Sequence, residues 1–241
     1  DQDSPFFKAD LYKKYFTLEY SQILTGEEKS WVEEHGNIRI GFQSNDPAVF
    51  SMDEETGKLT GMLAEYVSYA KDCLGNQKLE FNIQEYNDYN EMIQALQEHE
   101  IDMIFYAGRN PSFAEEKGYA LTNTAWTYSL MVVTDEKNFD EYNVYTVAVP
   151  KEKEALKQHI AFSYPQWKLV DCDSLDDAAD MVLNEKADCF LMGASQAMIY
   201  DNSRNFKSVP LTKTMEACFA VRGGEGSLLS ILNKTLKAMP S

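Results

Sequence analysis

The residues with the greatest chemical capacity gather around one turn, Tyr106, Ala107, Gly108 and Arg109. An arginine there offers a planar set of donors suited to a carboxylate or a phosphate. The plainer alternative is an exposed arginine leading into the next helix. Asp46 and Phe50 follow the first predicted strand, Trp126 and Tyr128 lie in a later one, and Ser195 opens a helix of the second half. Aromatic rings at such places cover the face of a ligand, or simply pack. Ser195 reads equally as an ordinary helix cap.

Nothing here assembles into a catalytic set. The histidines His35, His99 and His159 are expected at helix ends or on a polar helix face, away from any serine or cysteine nucleophile. Carboxylate pairs such as Glu33 and Glu34, Glu115 and Glu116, or Asp176 and Asp177 are sequence neighbours, so their side chains diverge into solvent. No phosphate loop of the GxxxxGK type occurs. The cysteines Cys73, Cys172, Cys189 and Cys218 lack metal-ligand spacing and read as buried thiols, with a Cys172 to Cys189 bridge left open. The chain therefore carries no predicted catalytic residue, metal or cofactor.

The elements that hold the turn are read from periodicity. Ile38, Ile40 and Phe42 alternate with Arg39 and Gly41, giving a strand, and Leu79, Phe81 and Ile83 give another. Met103 to Ala107 is an apolar run after Asp102 that stops at Gly108, as a strand buried on both faces does. Val49 to Met52 and Lys58 to Thr60 read as a hairpin. Met62, Leu63, Tyr66, Val67, Ala70 and Leu74 mark a core-facing helix, and a second helix carries Met92, Ile93 and Leu96. Thr25 and Glu28 form a capping box for an earlier helix that stops at Gly36. A short helix over Ser112 to Lys117 and a strand over Trp126 to Thr134 follow the turn.

The pattern then restarts. Strands over Val144 to Val149, Trp167 to Asp171 and Cys189 to Met192 alternate with helices over Lys151 to Phe162, Ser174 to Asn184 and Ser195 to Asp201. The segments LQEHEIDMIFYAG and VLNEKADCFLMGA superpose in pattern, so Asp102 and Asp188 are expected to fix the turn entering each central strand. Ala217 to Val221 and a helix lined by Leu228, Ile231, Leu232 and Leu236 close the chain. Alternating strands and helices imply an α/β fold with parallel strands, whose ligands sit beyond the strand C-termini.

The formal charge, 22 − 39 = −17, repels nucleic acid and anionic membrane surfaces. No stretch approaches the ~18 apolar residues of a membrane span, and no signal peptide is evident. A start at Asp1 suggests an excised or processed piece.

Several blocks in order resemble the type 2 periplasmic solute-binding proteins of family 3, which include amino-acid-binding proteins. They are IRIGF at Ile38, GKLTGMLAEYV at Gly57, IDMIFYAG at Ile101, LTNTAWTYSLMVV at Leu121, ADCFLMG at Ala187 and CFAVRGGEGSLLSILNKTL at Cys218, and the resemblance covers about Gly36 to Ala238. It implies a two-lobed α/β flytrap with two hinge crossings, near Asn123 to Thr127 and Thr212 to Glu216. The expected organisation is an N-terminal linker and capping helix (1–35), a discontinuous lobe 1 (36–123 with 216–241) and lobe 2 (124–215). The resemblance implies a small polar ligand held by Asp46, Phe50, Tyr106, Gly108, Arg109, Trp126 and Ser195.

Two departures bear on that ligand. The family arginine that holds an amino-acid carboxylate aligns with Glu115, and the acidic residue that holds the amine aligns with Gly193. A buried ligand charge without a partner is costly, so a standard amino acid is not expected by the usual charge partners. The lead-in LTGEEKSWVEEHGNIRIG resembles those of solute-binding domains built into sensor histidine kinases and diguanylate cyclases. This implies an extracytoplasmic sensor domain, attached to a membrane through parts absent here, with a dimer of the full-length protein left open. The alternatives are the binding protein of an ABC transporter, or a dehydratase-type enzyme with Glu115 or Asp46 as its acid or base.

Overall fold

The computed structural model describes residues 24–43, 51–52, 59–74, 80–194, 196–197 and 206–239. Asp46, Phe50, Leu79, most of the predicted helix at Ser195 to Asp201 and most of the N-terminal linker lie outside them. The described elements are α1 (Gly26–His35), β1 (Ile38–Phe42), β2 (Ser51–Met52), β3 (Leu59–Thr60), α2 (Met62–Leu74), β4 (Phe81–Glu85), α3 (Tyr89–Gln97), β5 (Met103–Gly108), α4 (Pro111–Glu116), β6 (Tyr119–Tyr128), β7 (Leu130–Thr134), β8 (Thr146–Pro150), α5 (Glu154–Ser163), β9 (Lys168–Cys172), α6 (Leu175–Leu183), β10 (Cys189–Gly193), β11 (Lys207–Pro210), β12 (Met215–Arg222) and α7 (Gly226–Ala238).

They form an α/β protein with two five-stranded sheets, ordered β4-β1-β5-β12-β6 and β11-β7-β10-β8-β9. Contacts divide the chain into one compact unit of Asp1–Phe105, Gly118–Asn123 and Ala220–Ser241, and another of Tyr106–Lys117 and Thr124–Phe219.

Each sheet repeats one arrangement. β1 lies parallel between β4 and β5, with Ile38 opposite Phe81 and Ile40 opposite Met103. In the other sheet β8 lies parallel between β9 and β10, with Thr146 opposite Lys168 and Cys189 opposite Val147. The turn entering the central strand is also repeated. Asp102 N–H donates to Arg39 O at 2.8 Å, and Arg39 N–H donates to Asp102 Oδ2 at 2.8 Å. Asp188 N–H donates to Thr146 O at 2.8 Å, and Thr146 N–H donates to Asp188 Oδ2 at 2.6 Å.

Three residues before each aspartate the backbone turns left-handed, with φ 64° at His99 and 56° at Glu185. Those are the residues just after the end caps of α3 and α6, where a left-handed residue stops a helix.

Burial distinguishes the two copies. Asp102 is 2% exposed and also accepts from Arg39 Nε at 3.0 Å and Nη2 at 2.8 Å, with His35 Nε2 at 3.2 Å. Burial pushes its carboxyl up, but the bonds from Arg39 and His35 outweigh that and hold it below the ordinary carboxylate range. Asp188 is exposed.

The second sheet is buried on both faces. Val132, Val147, Cys189 and Leu191 pack with Leu156 and Ile160 of α5, while Val133, Ala148, Phe190 and Met192 pack with Ala178, Ala179 and Val182 of α6. This explains the continuous apolar runs in the sequence.

One expectation needs correction, and one strand escaped the sequence reading. The strand predicted over Trp126 to Thr134 is two strands: β6 begins at Tyr119, and β7 starts after Ser129 in the other sheet. The polar residues of ALTNTAW hide the first part, although threonine suits a strand. Strand β11 has too few apolar residues to stand out, and it pairs antiparallel with β7, Lys207 opposite Thr134. The four cysteines are buried free thiols as read, and the bridge left open between Cys172 and Cys189 does not form. Strand β8 lies between theirs, so two strand spacings of about 4.8 Å separate them, more than a disulfide spans.

Replacing each aspartate by alanine tests this account by urea unfolding. Asp102→Ala removes the buried acceptor of Arg39 N–H and of its guanidinium, and is expected to lose about 1.5–3 kcal/mol. Asp188→Ala should lose only about 0.5–1.5 kcal/mol, because water replaces the exposed bond.

Candidate functional site

At the end of β5 the backbone makes a contact that only glycine allows. A Cβ on Gly108 would lie 2.1 Å from the carbonyl oxygen of Ala155, in the first turn of α5. The next residues lock that approach. Asn110 is buried, caps α4 by accepting from Phe113 N–H at 3.1 Å, and donates through Nδ2 to Gln158 Oε1 at 3.2 Å and Gln158 O at 3.3 Å.

Arg109, between them, continues the ladder to β12 by donating its backbone N–H to Glu216 O at 3.1 Å. Its side-chain Nε lies 3.1 Å from Glu216 Oε2. Thr124 of β6 donates its hydroxyl to the same oxygen at 2.9 Å. Cys218, two residues along β12, is buried; burial pushes its thiol up, and hydrogen bonds with Arg109 and Thr124 act in the opposite direction.

An aromatic row adjoins these groups. Tyr106 and Trp126 meet edge to face at 5.1 Å between centroids, and Trp126 meets Phe219 at 6.3 Å. Tyr128 donates its hydroxyl to Met215 Sδ at 2.7 Å.

His159 corrects the expectation of a polar-face histidine. It is 3% exposed on α5, on the side of Leu156 and Ile160. Nδ1 is 3.4 Å from Ser163 Oγ, while Nε2 is buried with no hydrogen-bond partner among the described residues. Burial drives its pKa from 6.5 down to about 4, Glu216 pulls it up and Lys213 pushes it down.

Of the sequence-predicted site residues, Tyr106, Gly108, Arg109 and Trp126 fall in this one cluster. Asp46, Phe50 and Ser195 lie outside the described residues. Glu115 is exposed on α4, and Gly193 closes β10. Sequence reasoning missed Glu216, Thr124, Asn110 and His159. The signal for Glu216 was a lone charge in the apolar strand MEACFAV. Among the described residues no group of three or more His, Cys, Asp or Glu side chains is placed to hold a metal ion.

A cation, a carboxylate and a row of rings lie beside a strand C-terminus, the end of the sheet where open α/β proteins hold their ligands. The class is the two-lobed solute-binding fold. Residues 38–241 match the model of the bacterial extracellular solute-binding proteins, family 3, and the chain belongs to that family.

Among solved structures, the fold is similar to the periplasmic VFT2 domain of BvgS from Bordetella pertussis, at 22% identity and a TM-score of 0.66, covering 90% of this chain and 93% of that one. The longer periplasmic domain of the same protein is matched over 90% of this chain and 43% of its own length, at 22% identity and a TM-score of 0.67. A solute receptor for L-cysteine of Neisseria gonorrhoeae is similar at 23% identity and a TM-score of 0.59, over 88% of this chain and 87% of that one. An ancestral amino acid-binding protein, described as a precursor of cyclohexadienyl dehydratase, is similar at 18% identity and a TM-score of 0.59, over 88% and 92%. No curated relative matches the chain in sequence.

Two substitutions test the local geometry. Gly108→Val places a side chain against the Ala155 backbone and is expected to lose about 1–3 kcal/mol of stability, read by thermal unfolding. His159→Phe tests the buried neutral ring. Because the folded-state pKa lies below the unfolded one, this contribution is complete above pH ~6.5 and is lost as pH falls toward ~4. Wild-type stability should therefore fall more steeply than that of His159→Phe between those values, measured by urea unfolding at a series of pH values.

Proposed function

We propose that this chain is the extracytoplasmic ligand-binding sensor domain of a membrane-bound signalling protein of the histidine kinase or diguanylate cyclase type. It takes a small polar solute without turning it over, and Arg109 anchors the anionic group of that solute. The lobes of this reading, 36–123 with 216–241 and 124–215, are those expected from the sequence. Asp46, Phe50, Tyr106, Gly108, Trp126 and Ser195 complete the site.

The observation that carries the sensing role is the tie between the first and last helices. Glu28, inside the capping box of α1, accepts from Lys234 Nζ at 2.6 and 2.8 Å and from Ser230 Oγ at 2.7 Å on α7. It also accepts from Thr25 N–H at 2.7 Å. Burial pushes its carboxyl up, yet the bonds from Lys234, Ser230 and Thr25 hold it down to about 2. The tie couples α1, which precedes the first strand, to α7, which follows the last. That is the mechanical requirement of a module that passes a ligand-induced change along a chain. Likeness to a BvgS periplasmic domain supports the same reading, and likeness to the Neisseria receptor supports transport as the second one.

The complete reading frame discriminates them: a membrane-spanning helix and a signalling domain after α7 are expected, and a lipoprotein leader with neither would overturn the sensor role. Ligand binding is tested by a thermal-shift screen against amino acids, small carboxylates, phosphorylated metabolites, purines and short peptides. A ligand at ~100 times its dissociation constant should add about 2.7 kcal/mol. The shift should vanish in Arg109→Ala; a shift that survives would remove Arg109 from the site.

A further inference from the structure

Two large apolar side chains project into solvent from one short stretch of the loop between β7 and β8, Tyr142 at 77% exposure and Val144 at 74%. The other exposed large apolar residues, Phe162 and Leu183, lie in the last turns of separate helices and stand singly, as surface residues often do. The loop that carries Tyr142 and Val144 is held by its remaining residues. Glu141 is buried and accepts from Thr212 N–H at 3.0 Å and Tyr164 Oη at 3.3 Å, and its carbonyl accepts from Gln166 Nε2 at 3.0 Å. Asn143 O accepts from Trp167 Nε1 at 3.1 Å, and Tyr145 O from Lys168 N–H at 2.7 Å. Phe139 stacks on Tyr145 at 4.6 Å between centroids, and Tyr164 on Trp167 at 4.2 Å. Glu141, Asn143 and Tyr145 are thus anchored, and the two residues between them are carried outward. A loop already fixed in this way loses little further freedom when a partner covers it.

Charge selects the partner. With 39 acidic and 22 basic residues, two copies of this chain repel each other in most orientations. A two-fold contact centred on Asn143 escapes that repulsion. It sets Tyr142 of one copy against Val144 of the other, and Asp140 against Thr146, which lies opposite Lys168 in the sheet. Asp140 and Lys168 are both exposed, and neither has an ion-pair partner among the described residues. The symmetry therefore matches apolar residue to apolar residue and charge to opposite charge, each of them twice.

We infer that this loop is a self-association surface: a second copy of the chain covers Tyr142 and Val144 through a two-fold contact at Asn143, with Asp140 of each copy beside Lys168 of the other. The inference is independent of the ligand and of Arg109. Two apolar residues make a small centre beside the ~1,200 Å² of a stable interface, so the contact is weak in the separate chain and fills as concentration rises.

Sedimentation velocity of the whole chain, from about 10 µM to about 1 mM, tests the contact. Wild type is expected to pass from monomer to dimer across that range. Val144→Glu changes an exposed side chain and leaves the anchors in place, and should weaken the dimer by about tenfold or more. Lys168→Glu should weaken it by about threefold at low salt, because it then faces Asp140 of the other copy. Adding Asp140→Asn should recover that loss, since it removes the repulsion and keeps the oxygen that accepts from Tyr142 N–H. A wild type that stays monomeric throughout would overturn the inference and leave the patch to a different protein. A dimer that Val144→Glu leaves intact would overturn it by placing the interface elsewhere, and a loss that Asp140→Asn does not recover would overturn the two-fold register.

Discussion

Everything in this structure hangs on a pair of reciprocal hydrogen bonds at the mouth of a parallel strand. A parallel strand cannot be set in register by a tight hairpin, because a helix separates it from its neighbour. Asp102 and Asp188 supply the missing register by clasping the first residues of β1 and β8, N–H to carboxylate and N–H to carbonyl. A slip of one residue would turn every buried side chain of β5 or β10 toward the wrong face. The position of Gly108, six residues after Asp102, follows from that clasp, and so does the contact it makes with α5.

Charge is distributed with the same economy. In a chain with 39 acidic and 22 basic residues, each described arginine faces a carboxylate, but the setting differs. Arg39 is built into the frame by a buried partner, whereas Arg109 and Glu216 meet at the water boundary. The two arginines are similarly exposed, at 39% and 42%, and the difference lies in the partner: Asp102 is buried and cannot be left uncompensated, while Glu216 reaches water. The same logic keeps His159 neutral, since its ring lies in the core of α5.

Much of the architecture was legible because it depends on local pattern. The capping box at Thr25 and Glu28 forms as read, and the alternation in IRIGF and the apolar run of MIFYAG give β1 and β5. The paired turns at Asp102 and Asp188 were visible as similar segments, although their bonding to β1 and β8 was not. What escaped depended on distant partners. The break between β6 and β7 reflects a change of sheet at Ser129, with no proline or glycine to mark it. His159 looked solvent-facing until the packing of α5 set its direction. In the cluster around Arg109, the arginine was apparent from its turn, but Glu216 lies 107 residues away and becomes its partner only through β12.

The tie between Glu28 and Lys234 has a consequence for the order in which the chain acquires structure. It spans 206 residues, and the unit that contains it is built from both extremes of the sequence. The other unit draws on Tyr106–Lys117 and Thr124–Phe219, all of which precede α7. In synthesis or export from the N-terminus, the second sheet can assemble while the first still lacks its final helix. Glu28 must wait for α7 before its carboxylate meets Lys234, so this latch closes after the residues of the second sheet are available.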